Sequence, residues 1–247
     1  MKTWPKHERD ETLDTLFRGR LVVIQAKRGY RFSLDAVLLA NFVDIKGKER
    51  IMDLGVGGGV IALILAALNP SVQVVGLEIQ ERMVDRALRS VALNHLNGRV
   101  EIVLGDVRSV GQSFPPHKFD LAVSNPPYRR LKSGRGNPDP ERYVARHEVE
   151  ASLQDFLDGG SYLLRRGGRM ALVYPAARAT DLIAAMRQAD LEPKRLRSVH
   201  SFEGTPASLV LAEGIKGIRS ELEIMQPLVV YAKRKKYSDE MNAILAG

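Results

Sequence analysis

Apolar residues in this chain follow two patterns that alternate from about residue 50 onward. Short continuous apolar runs, bounded by glycine, proline or acidic residues, alternate with longer stretches in which apolar residues recur every three or four positions. Runs of the first kind predict buried strands, and stretches of the second kind predict helices with one apolar face. The predicted strands are 50–54, 72–77, 100–104, 119–124, 169–173, 207–212 and 227–232, and the predicted helices are 61–68, 81–96, 148–164 and 176–189.

This alternation predicts an α/β fold in which a mainly parallel, seven-stranded sheet carries helices on both faces, with the last strands forming an antiparallel edge. Residues 12–34 read as a short β-rich cap with strands at 14–25 and 30–32, so the chain divides into a cap, residues 1–34, and a main domain, residues 35–247. Ligands of such open sheets bind outside the carboxyl ends of the strands. The residues that directly follow the predicted strands are therefore the candidates for a functional site.

A glycine-rich turn joins the strand at 50–54 to the next helix. It contains Gly55, Gly57 and Gly59, whose backbone allows a ligand to approach closely, and it opens a helix whose N-terminal amides favour a negative or polar ligand group. The spacing differs from the dinucleotide motif G-x-G-x-x-G, because Val60 stands at its third glycine position. Asp53 would also repel a pyrophosphate, whereas it suits the ammonium group of S-adenosylmethionine.

Acidic residues end the next two predicted strands. Glu78 follows the strand at 72–77 and is well placed to take both hydroxyls of a ribose, and Asp106 lies two residues after the strand at 100–104, where it can accept the amine of an adenine. Together with Asp53, they put an acid at the end of each of three successive strands. This arrangement predicts S-adenosylmethionine as the cofactor.

The fourth strand, 119–124, stops at Asn125-Pro126-Pro127-Tyr128, because two prolines cannot continue a strand ladder. The side-chain oxygen of Asn125 and the carbonyls of Asn125 and Pro126 can accept hydrogen bonds from an NH₂ group. Tyr128 offers a flat face on which a planar base or amide can stack. The motif predicts a site that holds a planar amine with its nitrogen lone pair aimed at an electrophile; the alternative is a strand followed by a rigid turn.

Together these motifs resemble the class I S-adenosylmethionine-dependent methyltransferases, which have a Rossmann-like fold, and among them the tRNA adenine-N6-methyltransferase family that modifies the adenosine beside the anticodon of a valine tRNA. Two more segments carry the resemblance, residues 25–40, with Gly-Tyr-Arg-Phe-Ser-Leu-Asp at their centre, and residues 145–148, Ala-Arg-His-Glu. The resemblance implies methyl transfer to N6 of an adenosine in RNA, without a metal or a covalent intermediate and with positioning as the main catalytic contribution.

The resemblance also implies roles for individual residues. Asn125 and Pro126 would hold the amine and Tyr128 would stack on the base, and Asn125 would in addition lie against the cofactor. Tyr30, Phe32 and Asp35 would close over the cofactor, although packing in the core explains Tyr30 and Phe32 equally well.

The net charge of +8, from 37 basic and 29 acidic residues, indicates a polyanionic partner. Basic residues follow the Asn-Pro-Pro-Tyr motif in a segment interrupted by glycine and proline, where they would contact RNA; the alternative is a solvated loop. We assign RNA binding to Arg129, Arg130, Lys132, Arg135 and Arg146. The run at 233–236, Lys-Arg-Lys-Lys, fits RNA contact and a solvated tail equally well.

Composition excludes several classes of protein. The absence of cysteine excludes disulfides and the thiolate mechanism of pyrimidine methylation, and five scattered histidines argue against structural zinc. The first ten residues lack the apolar core of a signal peptide, and the longest apolar run, 60–68, is half a membrane span. We expect a cytoplasmic protein that binds RNA, needs no metal and does not enter membranes.

Three other functions remain open. Enzymes with this motif also methylate the side-chain amide of glutamine in release factors, but these usually carry a larger helical domain ahead of the glycine turn, where this chain has about fifty residues that look β-rich. An rRNA guanine-N2 methyltransferase is the next alternative. A non-enzymatic RNA-binding module is the last, and it would leave the three strand-end acids without a purpose.

Overall fold

The computed structural model describes residues 10–28, 31–127, 151–219 and 221–247. Strands and helices alternate along these residues as the apolar pattern predicts. The strands are β1 Glu11–Leu16, β2 Leu21–Ala26, β3 Arg50–Leu54, β4 Gln73–Glu78, β5 Val100–Leu104, β6 Phe119–Ser124, β7 Leu164–Pro175, β8 Leu191–His200, β9 Ala207–Lys216, β10 Glu223–Ile224, β11 Leu228–Val229, β12 Tyr231–Lys233 and β13 Lys236–Tyr237. The α-helices are α1 Leu34–Phe42, α2 Val60–Leu68, α3 Glu81–Leu93, α4 Val110–Ser113, α5 Leu153–Leu163, α6 Ala179–Gln188 and α7 Asp239–Ala246.

Seven long strands build the central sheet in the order β8-β9-β7-β6-β3-β4-β5. The two-residue strands β10 and β11 both pair with β8, which brings the described sheet to nine strands. Strand β9 runs antiparallel to both of its neighbours, whereas the other pairings in the sheet are parallel. The prediction of a mainly parallel sheet is confirmed, with two short strands added. The prediction that the last strands form an antiparallel edge holds only for β9, because β8, β10 and β11 beyond it run parallel to β7.

Helices cover both faces of the sheet because side chains alternate along each strand. On β3, Ile51 packs into an apolar cluster with α1, α2, α3 and α7, whereas Met52 and Leu54 pack into a second cluster with α5 and α6. None of the helices in the described ranges is long and apolar enough to cross a membrane.

The sheet contains one long strand that the apolar pattern missed. Residues 191–200 form β8, although Lys194, Arg195 and Arg197 interrupt its apolar residues. Arg195 pairs with Glu213 on β9 at 3.1 Å and its guanidinium lies 4.9 Å from the ring centroid of Phe42, and Arg197 pairs with Glu240, so both arginines find partners within the fold. The predicted strand at 227–232 is wrong as a single element. Only Leu228–Val229 joins the sheet, parallel to β8, and the chain then leaves the sheet as the β12–β13 hairpin.

The predicted cap is an antiparallel hairpin of β1 and β2. The single strand predicted at 14–25 is wrong, because the chain reverses at Phe17–Gly19, where Phe17 and Arg18 adopt positive φ. The strand predicted at 30–32 is also wrong for Arg31 and Phe32, which lie in an irregular segment before α1, while Tyr30 falls outside the described residues. The division of the chain at residue 34 stays a prediction.

The helices begin and end close to their predicted bounds. Helix α3 stops at Leu93, three residues early, as the Asn94 side chain turns to bond the carbonyl of Val22 on β2. Helix α5 begins after Ser152, whose hydroxyl accepts from the amide of Asp155 while the Asp155 carboxylate accepts from the amide of Ser152, a reciprocal cap. Strand β7 starts at Leu164, five residues before the predicted strand, because the basic residues that were expected to end the helix already belong to it.

Candidate active site

The carboxyl ends of β3, β4, β5 and β6 meet along one edge of the sheet. Leu54 pairs with Leu77 of β4 and with Ser124 of β6, and Glu78 pairs with Leu104 of β5, so these neighbouring parallel strands end side by side. This register brings the glycine turn, Glu78, Asp106 and Asn125 to a common edge, which we call the catalytic edge. The sequence-based grouping of these residues agrees with the strand register.

The glycine turn is tied down onto the end of β4. The amides of Gly55 and Val56 donate to the carbonyl of Leu77 at 2.9 and 3.0 Å. Gly55, Gly57 and Gly59 have φ of 72°, 54° and 87°, a region that L side chains rarely adopt, so glycine is required at these positions. The turn leads directly into the first residue of α2, whose amides point back toward the catalytic edge.

Glu78 is fixed against this turn by backbone amides. Its Oε2 accepts from the amide of Gly57 at 2.9 Å, and its Oε1 accepts from the amides of Ile79 and Gln80 at 3.0 Å each. Burial raises the pKa of Glu78, and the amide hydrogen bonds act in the opposite direction. A carboxylate offers about four acceptor sites and the three amides take three of them, so Glu78 keeps one site, on Oε2, for a hydroxyl group of a ligand.

Asp53 is fully buried on β3, and neither of its carboxylate oxygens has a hydrogen-bond partner among the described residues. Burial raises its pKa to about 8. The amide of Ala62 at the start of α2, which does not reach hydrogen-bond geometry with the carboxylate, offsets part of the rise, and the charge of Glu78 adds to it. Buried polar groups without partners are rare because each is costly, so such a group calls for an explanation. A cation that reached Asp53 would satisfy it, and the ammonium group of S-adenosylmethionine has the right charge.

Asp106 caps the short 3₁₀ helix Val107–Ser109, with its Oδ1 accepting from the amide of Arg108 at 2.9 Å. The Arg108 side chain also pairs with it, with Nη2 at 2.5 Å from Oδ2. These hydrogen bonds lower the pKa of Asp106. Sequence reasoning missed Arg108; a cation two residues after a strand-end acid was the available signal. An adenine amine would therefore share the Asp106 carboxylate with a guanidinium.

Asn125 leaves the end of β6 beside the glycine turn. Ser124, the last residue of β6, is fully buried and donates its hydroxyl to the carbonyl of Leu54 at 2.9 Å, which locks the ends of β6 and β3 together. Asn125 is half-buried, Pro126 is buried and Pro127 is exposed. The position of Tyr128, predicted to stack on the base, lies outside the described residues. The basic residues predicted to contact RNA lie outside them as well: Arg129, Arg130, Lys132, Arg135 and Arg146.

The segment before α1 approaches the glycine turn from the hairpin side. Gln25 accepts from the amide of Phe32 at 2.8 Å and donates to Asp14, which holds the segment on the hairpin. Phe32 is half-buried and lines a cavity of about 20 Å³ together with Gly58 and Met83. Phe32 thus packs against the core, as one interpretation of this residue predicts. It also borders the glycine turn, where the other interpretation places the cofactor.

Two further residues of this segment, Tyr30 and Asp35, were predicted to lie over the cofactor. Asp35 lies half-buried in the first turn of α1, and Tyr30 is outside the described residues.

Within the described ranges, there is no group of three or more histidine and acidic side chains that could hold a metal ion.

Comparisons with known proteins point to one family. The family described as methyltransferase small domain matches residues 32–189. A relative from Bacteroides thetaiotaomicron, named tRNA1(Val) (adenine(37)-N6)-methyltransferase, is 32% identical over 216 residues, covering 87% of this chain and 88% of that protein. A relative of the same name from Porphyromonas gingivalis is 32% identical over 200 residues, 78% of each chain. The crystal structure of a "predicted O-methyltransferase" from Agrobacterium tumefaciens matches with a TM-score of 0.69 and 24% identity, covering 85% of this chain and 94% of that one.

The parallel sheet, the glycine turn and the acids at the strand ends define a class I methyltransferase that uses S-adenosylmethionine. The resemblance seen in the motifs is confirmed over most of the chain. This chain belongs to the methyltransferase small domain family and, within it, to the family of the tRNA1(Val) (adenine(37)-N6)-methyltransferases.

Proposed function

We propose that this enzyme transfers a methyl group from S-adenosylmethionine to N6 of an adenosine in tRNA, beside the anticodon. The observation that carries the proposal is the position of Asn125 and Pro126, which leave β6 next to the glycine turn and Glu78 at the catalytic edge. The names of the relatives supply the acceptor, an adenine in a tRNA. Because tRNA is a cytoplasmic molecule, the same proposal implies a cytoplasmic enzyme.

The cofactor site would use the three acids and the glycine turn. Asp53 would take the ammonium group of the methionine part, Glu78 the ribose hydroxyls, and Asp106 the adenine amine. The unpartnered buried carboxylate of Asp53 supports the first assignment, and the amide-fixed carboxylate of Glu78 supports the second. Gly55, Gly57 and Gly59 would let the backbone approach the cofactor without side chains in the way.

The acceptor site would hold the target base by its amine. S-adenosylmethionine supplies the electrophilic methyl group when it is bound. The side-chain oxygen of Asn125 and the carbonyl of Pro126 would accept the two amine protons, which orients the nitrogen lone pair toward that methyl group. Tyr128 would stack on the base, and Phe32 and Asp35 would border the cofactor. Positioning then contributes most of the catalysis. The free energy needed to flip the target base into the site is small, because a base in an anticodon loop is already unpaired.

Transfer of labelled methyl groups into unmodified tRNA tests the proposal. Purified enzyme, labelled S-adenosylmethionine and tRNA from cells that lack the enzyme should give labelled N6-methyladenosine on nucleoside mass analysis. A release factor and rRNA, offered in parallel, should stay unlabelled. Label found only as methylglutamine in the release factor, or as N2-methylguanosine in the rRNA, would keep the cofactor site and overturn the acceptor.

A further inference from the structure

A second surface with the chemistry of a nucleic-acid site lies on the same edge of the sheet. Strand β8 runs parallel to β7 and β6, so its last residue, His200, lies at the catalytic edge. Strand β11 runs parallel to β8 and ends there too. The turn 201–206 and the β12–β13 hairpin follow these two strand ends. Because β8 is three strands from β6 in the sheet order, this surface is displaced by about 14 Å across the sheet from the strand that leads to Asn125, at a strand spacing of about 4.8 Å.

Three aromatic rings form a continuous stack on this surface. The ring centroids of Phe202 and Tyr231 are 5.5 Å apart at 34°, and those of Tyr231 and Tyr237 are 5.1 Å apart at 14°. The two tyrosines pack partly against the apolar core. Phe202, at the outer end of the stack, is 37% exposed. A large exposed aromatic ring at the end of a supported stack is a platform on which a base can lie.

The turn that carries Phe202 is braced from inside. The Thr205 hydroxyl donates to the carbonyl of Phe202 at 2.6 Å, and the ring of His200 donates from Nδ1 to the carbonyl of Thr205 at 2.6 Å. The amide of Tyr231 donates to the carbonyl of Ser201 at 3.0 Å, which fixes the hairpin to the turn. These hydrogen bonds fix the backbone of the turn, and the ring of Phe202 rests on Tyr231, so less freedom is lost when a ligand binds.

Four exposed basic residues form the tip of the same hairpin. Lys233, Arg234, Lys235 and Lys236 are all exposed, and Glu203 is the acid of the adjoining turn. A positive groove or rim beside exposed aromatic rings is the combination that single-stranded nucleic acid binds, with phosphates on the cations and bases on the rings. Charge and aromatic stacking thus point to the same class of ligand.

We propose that Phe202, Tyr231 and the basic run 233–236 form a docking surface for the unpaired nucleotides that flank the target base. We call it the hairpin platform. The proposal rests on the proposed function, because it assigns the platform to the same RNA whose target base reaches Asn125. The platform grips the loop from the β8 side of the sheet, so that the RNA spans the catalytic edge.

Binding of two fluorescein-labelled RNA hairpins, followed by anisotropy, tests the platform. One hairpin is an unmodified anticodon stem-loop, and the other is a fully paired stem closed by a tight tetraloop. Phe202→Ala should weaken binding of the stem-loop by about 5- to 150-fold, the range for removal of one base stack, and should leave the paired hairpin nearly unchanged. Phe202→Trp keeps a stacking face and should restore most of the affinity.

A charge variant tests the basic run. Lys233→Gln, Arg234→Gln, Lys235→Asn and Lys236→Gln together should lower the slope of log K against log salt by about 0.7 for each phosphate that the variant no longer neutralises; asparagine is chosen at Lys235 because φ there is 63°. The matched control removes four exposed cations near the amino ends of β3, β6 and β7, at the opposite edge: Lys46, Lys48, Lys118 and Arg166. The control should leave the slope unchanged.

The outcomes separate the platform from the proposed chemistry. Affinity for S-adenosylhomocysteine, measured by calorimetry, should be the same in all variants and shows that they are folded. If Phe202→Ala binds both RNA hairpins like the parent protein, or if the two charge variants lower the slope equally, the platform is wrong even when N6-methyladenosine forms. If the platform variants bind RNA more weakly but the parent enzyme makes no N6-methyladenosine, the platform stands and the proposed reaction fails.

Discussion

Asp53 combines complete burial with an unpartnered carboxylate, and this sets its protonation. Since the pKa of Asp53 in the folded protein is about 8, against an ordinary value of 3.8, the folded state holds a proton that the unfolded state releases between these values. The contribution of Asp53 to stability is therefore fully present below pH 4 and is lost as the pH rises toward 8. An ammonium group bound at Asp53 would reverse this preference, because it favours the charged carboxylate.

Cofactor binding should therefore release a proton from Asp53. At pH 7 a group with a pKa of about 8 is roughly nine-tenths protonated, so binding of S-adenosylhomocysteine, which carries the same ammonium group, should release close to one proton. Calorimetry in buffers of different ionisation enthalpy measures this number. The matched control is Asp53→Asn, which keeps the shape but cannot titrate, and it should bind more weakly without the release. Equal proton release in both proteins would exclude Asp53 from the ammonium site.

Asn125 should be required for turnover and dispensable for cofactor affinity, because its amide would act mainly on the acceptor amine. Removing a comparable transition-state hydrogen bond in other enzymes costs about 2.7 to 4 kcal/mol, so Asn125→Ala should slow single-turnover methyl transfer by about 100- to 1,000-fold. Asn125→Asp keeps an acceptor but adds a charge beside the sulfonium, so it should retain partial activity. Near-normal rates in a stable Asn125→Ala protein would leave the residue as a turn former only.

The positions of the candidate site residues in the fold were predictable where a residue type and a strand end coincide, whereas their roles stay predictions. Asp53, Glu78 and Asn125 were found because each stands at a strand end, and strand ends follow from apolar runs. Arg108 was missed since pairing with Asp106 depends on the local 3₁₀ turn, which brings two neighbouring side chains onto one carboxylate. No apolar pattern encodes such a turn.

Strands differ in how clearly the sequence marks them. Four strands lie in the interior of the sheet or under helices, and the sequence of each is an apolar run of strand length: β3, β4, β5 and β6. Strand β8 lies toward the edge, where the half-buried Arg195 and Arg197 replace apolar residues. Arg195 pairs with Glu213 and contacts Phe42, and Arg197 pairs with Glu240. Helix α1 was missed since six of its nine residues are buried, which leaves no polar face to reveal its period.

The glycine turn also depends on a glycine in the neighbouring strand. Gly76 of β4 lies under Val56, and a Cβ at Gly76 would come within 2.8 to 2.9 Å of three side-chain atoms of Val56. Gly76→Ala should therefore destabilise the protein by about 1–3 kcal/mol, the range for an overpacked core. At this chain length, melting temperature should fall by about 2–4 °C for each kcal/mol.

Two comparisons make this prediction specific. Gly98→Ala introduces the same methyl group at a position with nothing within 4 Å and without positive φ, so it should be neutral or slightly stabilising. Val56→Ala in the Gly76→Ala background should recover part of the stability, since it removes two of the three close approaches. Equal melting temperatures for the Gly76→Ala and Gly98→Ala proteins would show that the turn adjusts without cost.

Two sets of basic residues would determine how RNA lies on the surface of the protein. The catalytic edge carries the glycine turn and Asn125, and the hairpin platform lies on its β8 side. The basic residues predicted to contact RNA after Asn125 in the sequence lie outside the described residues. If one RNA contacts both the hairpin platform and these residues, each set of cations should make its own salt-dependent contribution to binding.

Replacing Arg129, Arg130 and Lys132 together by glutamine should lower the slope of log K against log salt for tRNA binding by about 0.7 to 0.9 for each phosphate left without its cation. A matched triple variant of Lys46, Lys48 and Lys118, near the amino ends of β3 and β6, should leave the slope as it is. Combined with the platform charge variant, the triple variant should give an additive decrease, because separate phosphate contacts behave independently. An unchanged slope in the Arg129, Arg130 and Lys132 variant, with a lowered slope in the platform variant, would mean that RNA is gripped only from the β8 side.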